Sequence, residues 1–248
     1  MANEAARFNS RVETSLVRNV LIAGNQLSGQ YWGRGITVVG GQSISIAKNT
    51  LTNVPRGAGV LVTREAGYLS FGVENVLIEH NLIRDVQTLN PPYDYGNKFA
   101  SEGRTGHGAI EIQASAFQDE AADPGMRETL SLSNVLVRGN VIERAAVNAS
   151  RAGVSTAMTM REKDSNGRWQ ERSIVSGVIR NIGFDNNRFN QVTGDALGVL
   201  SPDLMVREVY CSANQHDGNN YRSAACTQTD EPVALGAPLS CTADGLLQ

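Results

Sequence analysis

The sequence predicts an all-β chain wound into a right-handed, single-stranded parallel β-helix of about six coils with Asn-ladder turns. Two observations predict it. One phrase recurs along the chain: NVLIAGNQLSG from Asn19, SISIAKNTLTNV from Ser43, NVLIEHNLIRDV from Asn75, NVLVRGNVIERA from Asn134, NIGFDNNRFNQV from Asn181 and, more faintly, VYCSANQHDG from Val209. An Asn also follows each β-type run, at Asn25, Asn49, Asn81, Asn140, Asn187 and Asn214. Self-similarity of this kind marks a stacked solenoid, whose units bury their apolar faces only against one another.

Each element has its own reason. Val76 and Ile78, then Leu82 and Val86, read as two short strands meeting at Asn81. A sharp turn between strands suits Asn, which tolerates left-handed backbone angles and whose amide can bond its stacked equivalents into a buried ladder. A third strand follows, with a small residue near its start: GITVVG from Gly35, GAGVLVT from Gly57, GHGAIEIQ from Gly106, AGVSTAMT from Ala152 and GDALGVL from Gly194. Three strands per coil, each pairing with its equivalent one coil on, give parallel sheets. Their crossovers are right-handed by default, and coils stack about 4.8 Å apart.

Composition agrees. Aromatics are only 6% and Gly number 25 in 248 residues, which suits a narrow aliphatic core with many turns. The formal charge of −3, with both signs mixed, argues against a nucleic-acid or membrane-surface partner. No run of about 18 apolar residues exists, so no transmembrane helix is expected. Residues 1–15 read as an N-terminal cap or remnant, 16–214 as the β-helix, and 215–248 as a C-terminal tail or cap. MANEAARFNS lacks an apolar signal core, so the chain is cytoplasmic or a mature or trimmed form. The meagre N-terminal cap makes a homo-oligomer through that end an expectation. Of three cysteines, Cys211 falls on a core position of the repeat, while Cys226 and Cys241 lie in the polar tail and could form a disulfide, which would imply export.

The intervals between the ladder Asn residues run 24, 32, 59, 47 and 27, so insertions concentrate in the middle coils: Gln87 to Thr105, Ala114 to Leu132 and Arg161 to Ser173. All flank the third strand, and insertions gathered on one side of a solenoid build its binding face.

The NVxIxxNxI phrase, the three-strand coil and the Asn ladder resemble the pectate-lyase-like superfamily of right-handed parallel β-helix proteins, over roughly residues 16 to 214. The resemblance implies a carbohydrate-active protein of secreted or periplasmic location, a polysaccharide as partner and calcium as the candidate cofactor. The superfamily includes lyases, hydrolases and non-catalytic adhesins, so it names no single activity. Gly106-His107-Gly108 is similar to a Gly-His-Gly of polygalacturonases, yet the paired Asp-Asp and the Arg-x-Lys of that family are missing.

With Ile110 and Ile112 inward, Ala109 and Glu111 are expected to face out, as are Thr37, Leu61, Thr63, Ser155, Ala157 and Ala196. Glu111 is then the only carboxylate in mid-floor. A hydrolase would pair it with Asp195, two coils on and roughly 10 Å away by coil spacing. A lyase needs a cation or metal to neutralise the uronate and a base to take a proton. Arg104 and His107 join Glu111 and Asp195 as catalytic candidates. Arg64, Lys98, Arg151 and Arg161 are substrate-binding candidates, with Tyr93, Tyr95 and Trp169 as surfaces for sugar faces. Glu111 and Asp94 are the carboxylates available to a metal. The basic residues near the floor outnumber paired acids, which favours a lyase over a glycoside hydrolase. A non-catalytic spike or carbohydrate-binding β-helix is the reading from another class.

Overall fold

The computed structural model describes residues 17–30, 34–55, 57–68, 70–88, 108–145, 150–152, 158–163, 166–192, 196–199 and 206–229. Among them the chain is all-β with long parallel sheets, an arrangement consistent with a β-helix. Sheet one runs in order through Arg18–Ala23, Gly41–Ala47, Val73–Glu79, Leu132–Arg138, Ile179–Asp185, Val206–Ser212 and Thr227–Gln228. Sheet two runs through Gln26–Ser28, Thr50–Val54, Leu82–Val86, Val141–Ala145, Arg188–Asn190 and Gln215–His216, and ends on an antiparallel strand, Asn219–Asn220. Sheet three stacks Ile36–Val39, Val60–Arg64, Ile110–Phe117, Ser150–Ala152 and Leu197–Val199. The chain visits the three sheets in rotation.

Register explains the core. Ile44, Val76, Val135, Ile182 and Val209 align across sheet one, as do Ile46, Ile78, Val137, Phe184 and Cys211. Leu51, Ile83, Ile142 and Phe189 do so across sheet two. With Val60, Val62, Ile110 and Ile112 of sheet three, these rows make one buried cluster. Each fully buried aliphatic side chain contributes about 1.5–3 kcal/mol, so rows rather than single large residues hold the circuits together. Sheet three begins where the backbones come closest. A Cβ on Gly35 would lie 2.5 Å from the Gly59 carbonyl oxygen, and one on Gly59 2.7 Å from Ile83.

Between sheets one and two, Asn25, Asn49, Asn81, Asn140 and Asn187 each donate Nδ2 to Oδ1 of the next Asn, ending at Asn214, at 2.9–3.0 Å. Their backbone N–H groups donate to the same oxygens. From Asn49 on, the second Nδ2 hydrogen reaches the carbonyls of Ile22, Ile46, Ile78, Val137 and Phe184. Left-handed backbone does not fall on these Asn residues, contrary to expectation. It falls on the residue before each: Gly24, Lys48, His80, Gly139, Asn186 and Ala213. The Asn is selected for its amide, and its predecessor makes the bend. A second left-handed row, at Asn19, Ser43, Asn75, Asn134, Asn181 and Glu208, bends the first six strands of sheet one near their starts. There Asn134 donates to Asn75 and Asn181 to Asn134.

At the C-terminal end, Thr227–Gln228, within the segment expected as tail or cap, pairs with Tyr210 and Cys211. The disulfide joins Cys211 to Cys226, with Cα atoms 5.8 Å apart, in place of Cys226 to Cys241. Register brings the tail strand onto Cys211, which a reading of Cys211 as a simple core residue passes over. Residues 1–15 and Cys241 lie outside the described residues. No described helix is long and apolar enough to cross a membrane.

Two of the expected insertions are ordered structure on sheet three. Strand Ile110–Phe117 outruns its neighbours and leads into helix α1 (Gln118–Ala122) and helix α2 (Pro124–Thr129), the latter capped by Asp123. Met158–Lys163 and Trp169–Ser176 form an antiparallel hairpin, with Gly167 left-handed in the turn. The second hairpin strand pairs antiparallel with Ser115–Phe117.

Candidate functional site

The outer face of sheet three carries the candidate site. One row places Thr37, Leu61, Glu111, Arg151 and Gly198 in register, and a second Val39, Thr63 and Gln113. Val60, Val62, Ile110 and Ile112 lie in the core, so alternation assigns Leu61, Thr63 and Glu111 to the outer face as expected. Their exposure differs from expectation. Thr37 and Val39 are open to solvent, whereas Leu61, Thr63 and Glu111 are all 0% exposed. Periodicity sets the direction of a side chain and says nothing of what packs over it.

Other floor positions are corrected too. Ala109 and Ala196 belong to the core cluster, because they stand at the corner before the alternation of the strand begins. The corresponding strand in the next circuit is Ser150–Ala152, so Ala152 ends that strand, level with Ile112, instead of beginning it. Ser155 and Ala157 lie outside the described residues.

This register changes the neighbours of Glu111. Arg151 is directly beside it on the next circuit, and the position beyond is Gly198, three residues on from Asp195. Asp195, His107, Arg104, Tyr93, Asp94, Tyr95 and Lys98 lie outside the described residues.

Arg64 is removed from the accessible floor. It is 1% exposed, its guanidinium donates to Glu120 Oε2 at 2.9 Å, and it also donates to the Ser115 carbonyl. Burial pulls its pKa below the usual arginine value, and the Glu120 carboxylate opposes that shift. Glu120 also accepts the Phe117 N–H at the start of α1. Arg64 is thus an internal strut between a floor strand and the helical insertion, not a ligand contact.

Trp169 is 64% exposed, but it stands far along the hairpin. Counted along the paired strands it is roughly 35 Å from Glu111. Arg161 lies on the outer hairpin strand opposite Glu171. The structure brings neither to Glu111.

The mixed charge of the insertions has a structural cause. Arg172 bonds Asp119 at 2.7 Å and lies over the Phe117 ring at 3.6 Å, while Arg180 meets Glu128 at 3.0 Å. Arg172 of the hairpin and Arg180 of sheet one thus each pair with an acid of the helical insertion, and Ala66, Phe117 and Ile174 form a small cluster of their own. Sequence reasoning missed Glu120, Phe117 and Arg172. The signal was IEIQASAF, whose alternation runs past the length of the other floor strands.

Among the described residues no group of three or more His, Cys, Asp or Glu side chains comes together to hold a metal ion. No family model, no curated protein and no solved structure matches the chain.

Proposed function

We propose that this chain is an exported polysaccharide lyase of the pectate-lyase-like kind, a right-handed parallel β-helix of about six coils with the Asn amides as its ladder. Its glycan contains uronate and lies over sheet three. The observation that carries this reading is the backbone register of Glu111 with Arg151, an acidic and a basic residue paired on neighbouring strands of the sheet to which both described insertions attach. In β-elimination a base takes the C5 proton, the C4–O bond breaks, and the electron pair becomes the C4=C5 double bond. The step needs positive charge at the uronate carboxylate. Arg151 supplies that charge. Glu111, fully buried, acts as a positioning residue for it. Arg104 and His107, just before the floor strand, are the base candidates. The Cys211–Cys226 disulfide supports an oxidising compartment.

The test is ultraviolet absorbance during incubation with a panel of polyuronates. A conjugated double bond should appear, Arg151→Ala should abolish it, and Glu111→Gln should lower kcat about 10²-fold with little change in KM. New reducing ends without absorbance would turn the reading to hydrolysis.

A second reading, a non-catalytic carbohydrate-binding spike, is favoured by the complete burial of Glu111 and the internal pairing of Arg64. It would show as glycan binding with neither product.

A further inference from the structure

The two ends of the stack are complementary, and among the described residues only the C-terminal one is covered. Along the Asn chain every backbone N–H and one Nδ2 hydrogen go to the next Asn oxygen. The first member, Asn25, therefore has an Oδ1 that accepts from no described residue. The last, Asn214, spends one Nδ2 hydrogen on the Phe184 carbonyl, and its other donors have no acceptor among the described residues. What the last Asn lacks, the first one offers.

The apolar rows behave the same way. Val20 and Ile22 are partly buried hydrophobics at the N-terminal end of the described core, aligned with the rows that finish at Val209 and Cys211. Leu27, 37% exposed, begins the row that finishes at Phe189 and His216. Arg18–Ala23 and Gln26–Ser28 are the terminal strands of sheets one and two. They run in the direction needed to continue both sheets beyond Val206–Ser212 and Gln215–His216.

At the C-terminal end the tail occupies these edges. Thr227–Gln228 covers Tyr210 and Cys211, and Asn219–Asn220 folds back on Gln215–His216. Tyr221 packs edge-on against Phe189 and His216 at 6.2 and 5.6 Å between ring centroids. The Thr229 N–H donates to the Cys211 carbonyl. The Cys211–Cys226 disulfide ties the cover to the strand it covers.

We propose that segment 215–229, locked by this disulfide, is a stop against head-to-tail stacking, and that its release lets the C-terminal end bind the N-terminal coil of a second copy of this chain. Such a contact is heterologous and does not close, so it grows into filaments. Its register brings Val20 and Ile22 of the second copy onto Val209 and Cys211, and Arg18 beside Arg207.

Light scattering across a concentration series tests it. The oxidised protein should keep a constant mass, while Cys226→Ser should gain mass as concentration rises. Adding Leu27→Lys to Cys226→Ser should stop that growth. An equimolar mixture of this double variant with the oxidised wild type should double the mass and go no further. Constant mass for Cys226→Ser, with 215–229 now cut by protease, overturns the proposal. So does equal growth by the oxidised protein. Should Cys226→Ser lose its β-sheet circular dichroism, Thr229→Pro goes through the same series. It keeps the disulfide and removes the N–H that bonds the Cys211 carbonyl, and its failure to grow is equally fatal.

Discussion

The corner between sheets one and two and the outer face of sheet three follow opposite rules. At the corner each circuit repeats one solution: a left-handed residue, then an Asn whose amide bonds the next Asn. On sheet three the first three circuits all end differently. One ends exposed at Val39, the next at the buried Arg64, and the next runs into two helices and receives a hairpin. Repetition builds stability, because each copy supports the same nearest-neighbour contact. Departure from the repeat is where specific chemistry can be placed without disturbing the stack.

The largest effect should come from the repeated side. Asn140 is 0% exposed, and Asn140→Ala strands the Asn81 N–H and one of its Nδ2 hydrogens, takes the amide donor from the Ile78 carbonyl, and leaves the Asn187 oxygen only the backbone N–H of residue 140. A loss of about 4 kcal/mol is expected in urea unfolding. Asn25→Ala, at the exposed end of the same chain of amides, should cost about 1 kcal/mol or less. Equal costs would mean that burial of the amides contributes nothing special, and the contrast between the two regions would lose its physical basis.

Next comes the irregular side. Arg64→Met leaves the Glu120 carboxylate without its guanidinium in a buried place, at a cost of about 3 kcal/mol. Combining it with Glu120→Gln should recover most of that. The failure should also be local: protease should open 118–129 at denaturant concentrations where the sheets stand. Simultaneous loss of both would make the insertion one cooperative unit with the stack.

The difference between the regions also governs what the sequence reveals. The intervals between Asn25, Asn49, Asn81, Asn140, Asn187 and Asn214 are the spacings of the amide hydrogen bonds, because a repeated contact leaves a repeated letter. The left-handed bend was assigned one residue late, since Lys48, His80 and Ala213 carry no chemical mark of a backbone turn. Glu111 was placed on the correct face with the wrong exposure, and Arg64 was given to a ligand when it holds Glu120. The ion-pair partner of Arg64 comes from an insertion that occurs once, and a contact made once has no period. Cys211 is the mixed case: its core row was legible, but its partner Cys226 belongs to a tail without repeat.

The smallest effect probes whether even the repeated sheets are chemically uniform. Asp85 and Asp185 are both carboxylates on the repeat, yet their titrations diverge. Hydrogen bonds from Arg144 hold Asp85 below the usual carboxylate range. Burial pushes Asp185 above it, against the pull of Arg138 and a hydrogen bond from Ser212. Arg138 falls short because it is already engaged with Glu79 at 2.6 Å. The signs are therefore opposite. Ionised Asp85 stabilises the fold above its unfolded pKa of about 3.9, and that contribution disappears as pH falls through its lower folded value. Ionised Asp185 costs stability above its raised folded value, and the cost is relieved as pH falls from there toward the unfolded value. At pH 7 Asp185→Asn should match or exceed the wild type in urea unfolding, with the gap closing toward pH 4. Asp85→Asn should be slightly weaker, with its deficit erased by salt because the pair is exposed. A less stable Asp185→Asn at pH 7 would mean that Arg138 outweighs burial, and that Glu79, Arg138 and Asp185 act as one shared ion network along sheet one.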